Sequence, residues 1–377
     1  MPFADTLWIV EQAKSLGFDL CGVVRAEKFP ELRRTPEWLG CGYAGEMEYL
    51  ADPRRSDLQA AMPGIQSAVV GLLNYNTKYP LSTDPALPVD YRKPSGWASR
   101  YAWGDDYHDV LGERLDALVK LLRERFPLPF EARAYVDTGP VQERVLAKYA
   151  GLGWLGKNTL LLNQMLGSFF FLGVILTTLD LEPTVGVNEL PPPDLCGSCR
   201  RCLDACPTDA FVEPYAMDAR KCISYLTIEL RGAIPEEFRA PMGNHVFGCD
   251  ICQDVCPWNR RAPIATIPQF QPRVFPAKEE EGSEASPVPQ DESLYLPGLE
   301  WLLALSEADF RELFRGSPVK RAKWRGLMRN TCIALGNCGV RRGMAAHERI
   351  SNMLERLAAS QDPVLAESAR WALSRIQ

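Results

Sequence analysis

Two runs of closely spaced cysteines constrain this chain more than any other feature. Residues 196–207 read CGSCRRCLDACP, and residues 249–257 read CDICQDVCP. The first run has the C-x2-C-x2-C-x3-C-P spacing with which bacterial ferredoxins hold iron–sulfur clusters. Three of its thiolates wrap one [4Fe–4S] cube, and the fourth reaches a second cube. The first run therefore predicts two cubes in one ferredoxin-like module.

The second run contains only three cysteines, and Cys222 is the only other cysteine between the runs. If the fourth ligands cross, eight thiols serve two cubes with none left over. The predicted first cluster takes Cys196, Cys199, Cys202 and Cys256, and the second takes Cys206, Cys222, Cys249 and Cys252. A pair of zinc sites is the alternative, because C-x2-C is also a zinc spacing. Zinc sites rarely add a third cysteine followed by Cys-Pro, so the spacing favours iron–sulfur clusters.

The start of the chain, MPFADTLWIVEQAKSLGF, places acidic residues in its apolar stretch and predicts an amphipathic helix rather than a signal peptide. The apolar run at 165–179 is too short to cross a bilayer. We therefore expect a cytoplasmic, soluble monomer with reduced thiols. The remaining cysteines are expected to be small buried hydrophobic residues: Cys21, Cys41, Cys332 and Cys338. The net charge of −6 gives no global indication of nucleic-acid binding.

The chain is predicted to be an α+β multidomain protein. Residues 1–190 mix helical spacing with strand-like segments at 67–75, 131–136 and 168–179, which indicates an α/β domain. A proline-rich linker at 181–195 leads to a ferredoxin-like domain over 191–274. An acidic loop or linker is expected at 275–295, and amphipathic helices over 296–377 suggest HEAT-like pairs. The last helix should begin with Asp362 as N-cap and Pro363 at its first position.

Several longer segments resemble the tRNA epoxyqueuosine reductases, across nearly the whole chain. They are RYAWGDDYH (100–108), YVDTGPVQERVLAKYAGLGWLGKNTLLLN (135–163), GSFFFLGVILT (167–177), CISYLTIELRGAIP (222–235) and GCDICQDVCPWNR (248–260). The resemblance implies a cobalamin-dependent oxidoreductase, related in its core to reductive dehalogenases. Such an enzyme reduces epoxyqueuosine to queuosine at the wobble position of tRNA, the last step of queuosine biosynthesis. The cobalamin would rest as cob(II)alamin and act as cob(I)alamin, with electrons from a flavodoxin or ferredoxin.

The resemblance also implies site residues. Asp137, in YVDTGP, matches the family's catalytic aspartate and is the candidate proton donor. The alternative is that Asp137 caps a helix beginning near Pro140, or shapes the turn. Cobalamin contacts are expected from Asp137 and from Arg55, Arg100, Lys157, Asn158, Ser168, Ser224 and Tyr225. For most of these residues, an ordinary salt bridge or turn hydrogen bond is the alternative.

A local basic segment, FRGSPVKRAKWRGLMRN (314–330), predicts contact with tRNA phosphates. At 3.6 residues per turn, Arg321, Arg325 and Arg329 should share one helix side, and Lys320 and Lys323 add charge. A solvated helix face is the alternative. Two other functions stay open from the sequence: a corrinoid and iron–sulfur reductase of a small molecule, such as a reductive dehalogenase, or an electron-carrying ferredoxin subunit.

Overall fold

The computed structural model describes residues 2–185, 191–276 and 291–377. Its strands are β1 Leu20–Arg25, β2 Ser67–Asn74, β3 Trp97–Ala98, β4 Ala132–Tyr135, β5 Trp154–Leu155, β6 Leu161–Leu162, β7 Phe170–Thr177, β8 Phe211–Glu213, β9 Ala216–Met217, β10 His245–Phe247, β11 Val274–Phe275 and β12 Glu292–Ser293. Its helices are α1 Pro2–Ser15, α2 Arg34–Gly40, α3 Leu58–Ala61, α4 Tyr107–Arg125, α5 Glu143–Tyr149, α6 Arg201–Asp204, α7 Ile223–Ile228, α8 Glu236–Arg239, α9 Ile251–Asp254, α10 Leu299–Ala304, α11 Glu307–Leu313, α12 Lys323–Asn337, α13 His347–Ala358 and α14 Pro363–Arg375.

Strands β1, β2, β7 and β4 form an antiparallel sheet in that order. The three strand-like segments of the sequence are confirmed as β2, β4 and β7, whereas β1 was not predicted. Every residue of β2 is buried, because helices cover both faces of the sheet. A strand buried on both faces carries a continuous apolar run instead of an alternating pattern, which explains the composition of β2 and β7.

Helices α1 and α4 pack on one face of this sheet, and α3 and α5 pack on the other. The buried stripe of α4 consists of Leu111, Leu115, Leu118 and Leu122, spaced three or four residues apart. Asp106 caps this helix by accepting a hydrogen bond from the His108 amide at 3.2 Å. The cap places Tyr107 and His108 at the start of α4.

Helices α10 to α14 share a buried core with residues from earlier in the chain. Trp97, Trp103, Val246 and Phe247 belong to this core, and β3 pairs in parallel with β10. The predicted cap of the last helix is confirmed, because the Asp362 carboxylate accepts from the first turn of α14. These helices are therefore packed directly against the segment that carries the second cysteine run.

The described residues of both expected linkers make specific contacts. Leu181 is buried and the Thr184 amide donates to the Val23 carbonyl at 2.9 Å, so the start of the 181–195 segment is not a free linker. Residues 186–190 and most of the predicted acidic loop, 277–290, lie outside the described residues. Near the ends of that predicted loop, β11 pairs with β12.

Two expectations about composition can be compared with the structure. Cys21 and Cys332 are buried as predicted, but Cys41 is exposed and Cys338 is only half-buried. Over the described ranges, no helix combines the length and apolar character needed to cross a bilayer. The apolar run at 165–179 instead contributes β7.

Candidate active site

The four thiols predicted to hold the first cluster line one cavity of about 210 Å³. The cavity is also lined by Lys157, Asn158 and Trp258. Burial, and then the electrostatic interaction with the neighbouring Cys196 and Cys199 thiols, raise the pKa of Cys256. The sequence prediction of a crossed fourth ligand thus corresponds to residues that the fold brings together. Four thiols around one cavity are a donor set that suits an iron–sulfur cube.

The other four thiols of the prediction are also neighbours. Burial, then the nearby Cys222, Cys202 and Cys206, raise the pKa of Cys252 well above its usual value. The Cys252–Cys202 interaction links the two thiol sets. Within the described ranges, no three Cys, His, Asp or Glu side chains form a site for a single metal ion. A cube does not need such a site, because its four thiolates bind different irons.

A buried carboxylate anchors the second thiol set. Asp250, between Cys249 and Cys252, is 1% exposed. Its carboxylate accepts hydrogen bonds from the Trp97 indole at 3.2 Å, from the Arg100 amide at 2.8 Å and from the Ser99 hydroxyl. The loop that carries Cys249 and Cys252 is therefore fixed to the segment just before α4.

Asp137 occupies the turn between β4 and α5, with φ of 58°. Aspartate is among the few residues that tolerate this left-handed conformation. The Asp137 side chain is 68% exposed. The Tyr107 hydroxyl donates to its Oδ2 at 2.9 Å. The alternative helix-capping role is wrong, because α5 begins only at Glu143 and has Gln142 as its N-cap residue.

His108 lies on the other side of the same carboxyl oxygen. Its Nε2 is 3.8 Å from Asp137 Oδ2 and has no hydrogen-bond partner among the described residues. Its Nδ1 is 2.7 Å from Asp106 Oδ1. Although burial opposes it, hydrogen bonds with His108 and Lys320 hold the pKa of Asp106 well below its usual value. Asp106 is therefore an anion that orients the imidazole.

Glu143 is a second carboxyl group near Asp137. Burial and then the Asp137 charge raise the pKa of Glu143 to about 8. Its Oε1 is buried without a hydrogen-bond partner in the described part of the chain. The nearby Arg55 guanidinium donates to the carbonyls of Tyr49 and Val141, each at 3.3 Å. Glu143 in its protonated form, the Nε2 of His108 and the guanidinium of Arg55 thus offer hydrogen-bonding atoms in the region of the exposed Asp137 carboxyl. This arrangement fits the carboxamide rim of a corrinoid.

Two residues predicted to contact cobalamin, Arg100 and Ser168, instead support the protein's own loops. Arg100 is 1% exposed, and its guanidinium donates to Thr77, Tyr79 and Pro80. The predicted pairing of Arg100 with the cofactor is therefore contradicted. Ser168 is 5% exposed, and its hydroxyl accepts from Gln253 at 3.1 Å and from Asn259 at 2.9 Å.

Lys157 and Asn158 lie beside the thiols. Lys157 Nζ donates to the carbonyls of Gly197 at 2.6 Å and Cys199 at 3.0 Å, within the first cysteine run. The Asn158 amide donates to the Cys252 carbonyl at 3.4 Å. Both side chains therefore hold the loops that carry the predicted cluster ligands, and their contact with cobalamin stays a prediction.

Ser224 and Tyr225 lie in α7, directly after Cys222. Ser224 is half-buried, and the buried Tyr225 hydroxyl accepts from the Glu46 amide at 2.9 Å. Tyr225 therefore joins the second thiol set to the 44–47 loop, and the contact of Ser224 and Tyr225 with cobalamin stays a prediction.

The basic segment does not form the single exposed face that the sequence predicted. Arg329 is 1% exposed, and burial lowers its pKa to about 10. Its guanidinium donates to the carbonyls of Leu230 at 2.8 Å, Gly232 at 2.6 Å and Leu226. The prediction that Arg329 faces tRNA is wrong, because this side chain holds the end of α7.

The other basic residues of this segment are more accessible. Arg321 precedes α12 and pairs with Glu229 at 3.0 Å. Arg325 pairs with Asp362. Lys320 Nζ is 2.7 Å from Asp106 Oδ2, and Lys323 is exposed.

The sequence interpretation missed Tyr107, His108, Asp106 and Glu143. One local signal was present for the first three: Asp106 precedes the apolar stripe of α4 and is a good N-cap residue, so a helix starting at Tyr107 was predictable. The contact of this helix start with Asp137 depends on the sheet order and had no local signal.

Residues 55–138 match a family model described as "Epoxyqueuosine reductase QueG, DUF1730". Residues 195–259 match one described as "4Fe-4S double cluster binding domain". An epoxyqueuosine reductase from Gloeobacter violaceus is 43% identical over 338 residues, covering 88% of this chain and 96% of that protein. The chain belongs to the epoxyqueuosine reductase family. The resemblance found in the sequence is thereby confirmed.

Solved epoxyqueuosine reductases have the same fold. One, in a crystal structure with an epoxyqueuosine-modified tRNA-Tyr stem loop, matches with a TM-score of 0.84 and 30% identity over 100% of this chain and 91% of that chain. Another, from Bacillus subtilis, has the loop of its catalytic aspartate swung out of the active site; it matches with a TM-score of 0.82 and 29% identity over the same shares.

The match at 195–259 confirms the two [4Fe–4S] clusters predicted from the sequence. The relatives of this chain are reductases. The chain is therefore an oxidoreductase. The zinc alternative and the ferredoxin-subunit alternative do not agree with this assignment.

Proposed function

We propose that this chain reduces epoxyqueuosine in the wobble position of tRNA to queuosine. The observation that carries the proposal is the exposed Asp137 carboxyl, which accepts a hydrogen bond from Tyr107 in a member of the epoxyqueuosine reductase family. The eight thiols predicted as cluster ligands form two neighbouring sets in the same chain. The reaction converts an epoxide, two electrons and two protons into an alkene and water. It therefore needs both an electron path and an acid.

Bound cobalamin supplies the electron-rich cobalt that makes epoxide reduction feasible, with electrons delivered through the two clusters. The chain would hold this cofactor through Arg55, Glu143, Ser224 and Tyr225. Glu143, with its pKa raised to about 8, is neutral at pH 7 and can donate a hydrogen bond to an uncharged amide.

Asp137 is the proton donor for the departing oxygen. An alkoxide or hydroxide leaves poorly unless it is protonated, and a positioned acid contributes about 10²–10⁴-fold to such steps. Tyr107 holds Asp137 Oδ2 and stays a donor, because burial and the Asp137 charge raise the pKa of Tyr107 far above neutrality. Since the Asp137 side chain is 68% exposed, its carboxyl can meet a nucleotide that swings out of the anticodon loop.

We propose the same division along the chain as the sequence predicts. Residues 1–190 would hold cobalamin and Asp137, residues 191–274 the clusters, and the helices of 296–377, as HEAT-like pairs, the tRNA. Exposed Lys323 offers a phosphate contact directly. Lys320, Arg321 and Arg325 would exchange carboxylate partners for phosphates. The electron donor would be a cytoplasmic flavodoxin or ferredoxin, and the chain would act as a monomer.

The test is anaerobic incubation of reduced, cobalamin-loaded protein with epoxyqueuosine-containing tRNA, followed by mass spectrometry of the nucleosides. We expect queuosine from the native chain and a loss of about 10²–10⁴-fold in Asp137→Asn, with iron and corrinoid content unchanged. Asp116→Asn, on an exposed position of α4, is the matched control and should keep full activity. Absence of queuosine with the native chain would refute the function, and full activity of Asp137→Asn would remove Asp137 from the mechanism.

A further inference from the structure

A line of polar contacts runs from the basic segment to the carboxyl of Asp137. Lys320 Nζ lies 2.7 Å from Asp106 Oδ2, and Asp106 Oδ1 lies 2.7 Å from His108 Nδ1. At the other edge of the ring, His108 Nε2 lies 3.8 Å from Asp137 Oδ2. The imidazole therefore stands between a buried carboxylate and the candidate proton donor.

The two carboxyl groups differ in a way that fixes the imidazole tautomer. The Asp106 side chain is 2% exposed and accepts from Lys320, so it is an anion and requires the proton on His108 Nδ1. The neutral ring then presents the Nε2 lone pair to Asp137, and the protonated ring presents an N–H there. Stacking of the Tyr107 ring on His108, at a centroid distance of 4.1 Å, keeps the ring in this plane. In the same way, the buried aspartate of a hydrolase triad holds its histidine in one tautomer and orientation.

We propose that His108, oriented by Asp106, passes the second proton of the reaction to Asp137. The proposal rests on the function proposed above, in which two electrons from an external iron–sulfur or flavin carrier and two protons reach one epoxide. Asp137 supplies the first proton and becomes a carboxylate. The imidazolium Nε2–H bond then breaks, a proton moves to Asp137 Oδ2, and His108 returns to its neutral form. Reprotonated Asp137 completes the release of water.

Other charged and titratable groups surround this pair. Asp106, Tyr107 and Lys320 face His108 directly or through Asp106. Around Asp137 they are Tyr49, Tyr101, Tyr107, Glu143, Arg144 and Arg321. Burial raises the pKa of the Glu143 carboxyl near Asp137 to about 8, so it is an acid at pH 7 and offers the competing route. Among the described residues, Glu143 Oε1 has no hydrogen-bond partner, whereas His108 is oriented by the contact of its Nδ1 with Asp106.

The test combines kinetics with a readout that does not depend on turnover. His108→Ala should lower kcat by about 10²-fold with KM for tRNA within about twofold, and added imidazole should restore turnover. Asp106→Asn keeps a good N-cap residue for α4 but donates an N–H to Nδ1, so it should reverse the tautomer and lower kcat by about tenfold or more. The chain has three histidines, so nitrogen-15 imidazole spectra of the anaerobic protein can follow the tautomer directly. His347→Ala is the control, and it should leave both kcat and the His108 tautomer unchanged.

The outcomes are separable. If His108→Ala forms queuosine at a rate within about twofold of the native chain, the relay is overturned and the proposed function stays intact. A loss in His108→Ala that imidazole does not restore, or a loss confined to Glu143→Gln, would also overturn it. Spectra showing His108 with its proton on Nε2 in the native chain would overturn it even if no queuosine were formed. No turnover by native chain refutes the proposed function itself.

Discussion

Arg329→Met should destabilise the fold strongly, because Arg329 is a structural residue and not part of the tRNA surface. The substitution keeps an apolar stem of similar length and removes the guanidinium. It leaves the carbonyls of Leu226, Leu230 and Gly232 without this donor in a site where Arg329 is 1% exposed. A hydrogen bond to a charged group contributes about 1.5–3 kcal/mol, and relief of the buried cation's desolvation offsets part of the sum. We expect a net loss of about 3–5 kcal/mol.

Arg325→Met, in the same helix and with the same change of charge, is the matched control. Its ion pair with Asp362 is partly exposed, so its loss should cost about 0–1 kcal/mol. Urea unfolding under anaerobic conditions, followed by circular dichroism, measures both variants. With a slope of about 3 kcal/mol/M, the Arg329→Met midpoint should fall by about 1–2 M. A midpoint equal to that of Arg325→Met would refute the argument, and weaker tRNA binding at unchanged stability would restore the original surface prediction.

Three further predictions test other parts of the chain. Burial raises the pKa of Glu143 from the ordinary 4.5 to about 8 in the folded chain, so the free energy of unfolding should fall as pH rises from about 4.5 to about 8. Glu143→Gln should reduce that fall, measured by urea unfolding at pH 6 and 8.5. The same pH dependence of stability in the variant and the native chain would contradict the burial of Glu143. Cys222→Ala should lower bound iron from about eight to about four atoms per chain while Cys338→Ala keeps it, and unchanged iron would exclude Cys222 as a ligand. Lys323→Ala should reduce the salt slope of tRNA binding by about one relative to Lys120→Ala on α4, and equal slopes would remove that contact.

Local patterns were sufficient for much of the fold. The continuous apolar runs of β2 and β7, the stripe of α4 and the cap at Asp362 each follow from residues close together in sequence. The two thiol sets were also predictable, because the ferredoxin spacing dictates how ligands cross. Strand β1 was missed since LCGVVR is short and follows α1 after only a brief turn.

Side-chain placement in three dimensions was less predictable. By periodicity Arg329 falls on the same side of α12 as Arg325. In the structure, however, Arg329 packs against α7 and donates to carbonyls in and just after that helix. Arg100, Lys157 and Asn158 matched a functional pattern, but their hydrogen bonds go to backbone groups of loops that no sequence window contains. Such contacts between distant segments are set by topology.

The buried Asp250 carboxylate has a consequence for the energetics of electron flow. Burial, then the neighbouring thiols and last the Asp250 carboxyl raise the pKa of Cys249 and of Cys252 well above the usual value of a thiol. A carboxylate there would make the reduction potential of a cluster held by Cys249 and Cys252 more negative, because net charge near a cluster tunes its potential. The hydrogen bonds from Trp97, Ser99 and Arg100 fix Asp250 beside these two thiols. The position of this one side chain would therefore favour passing an electron on over storing it.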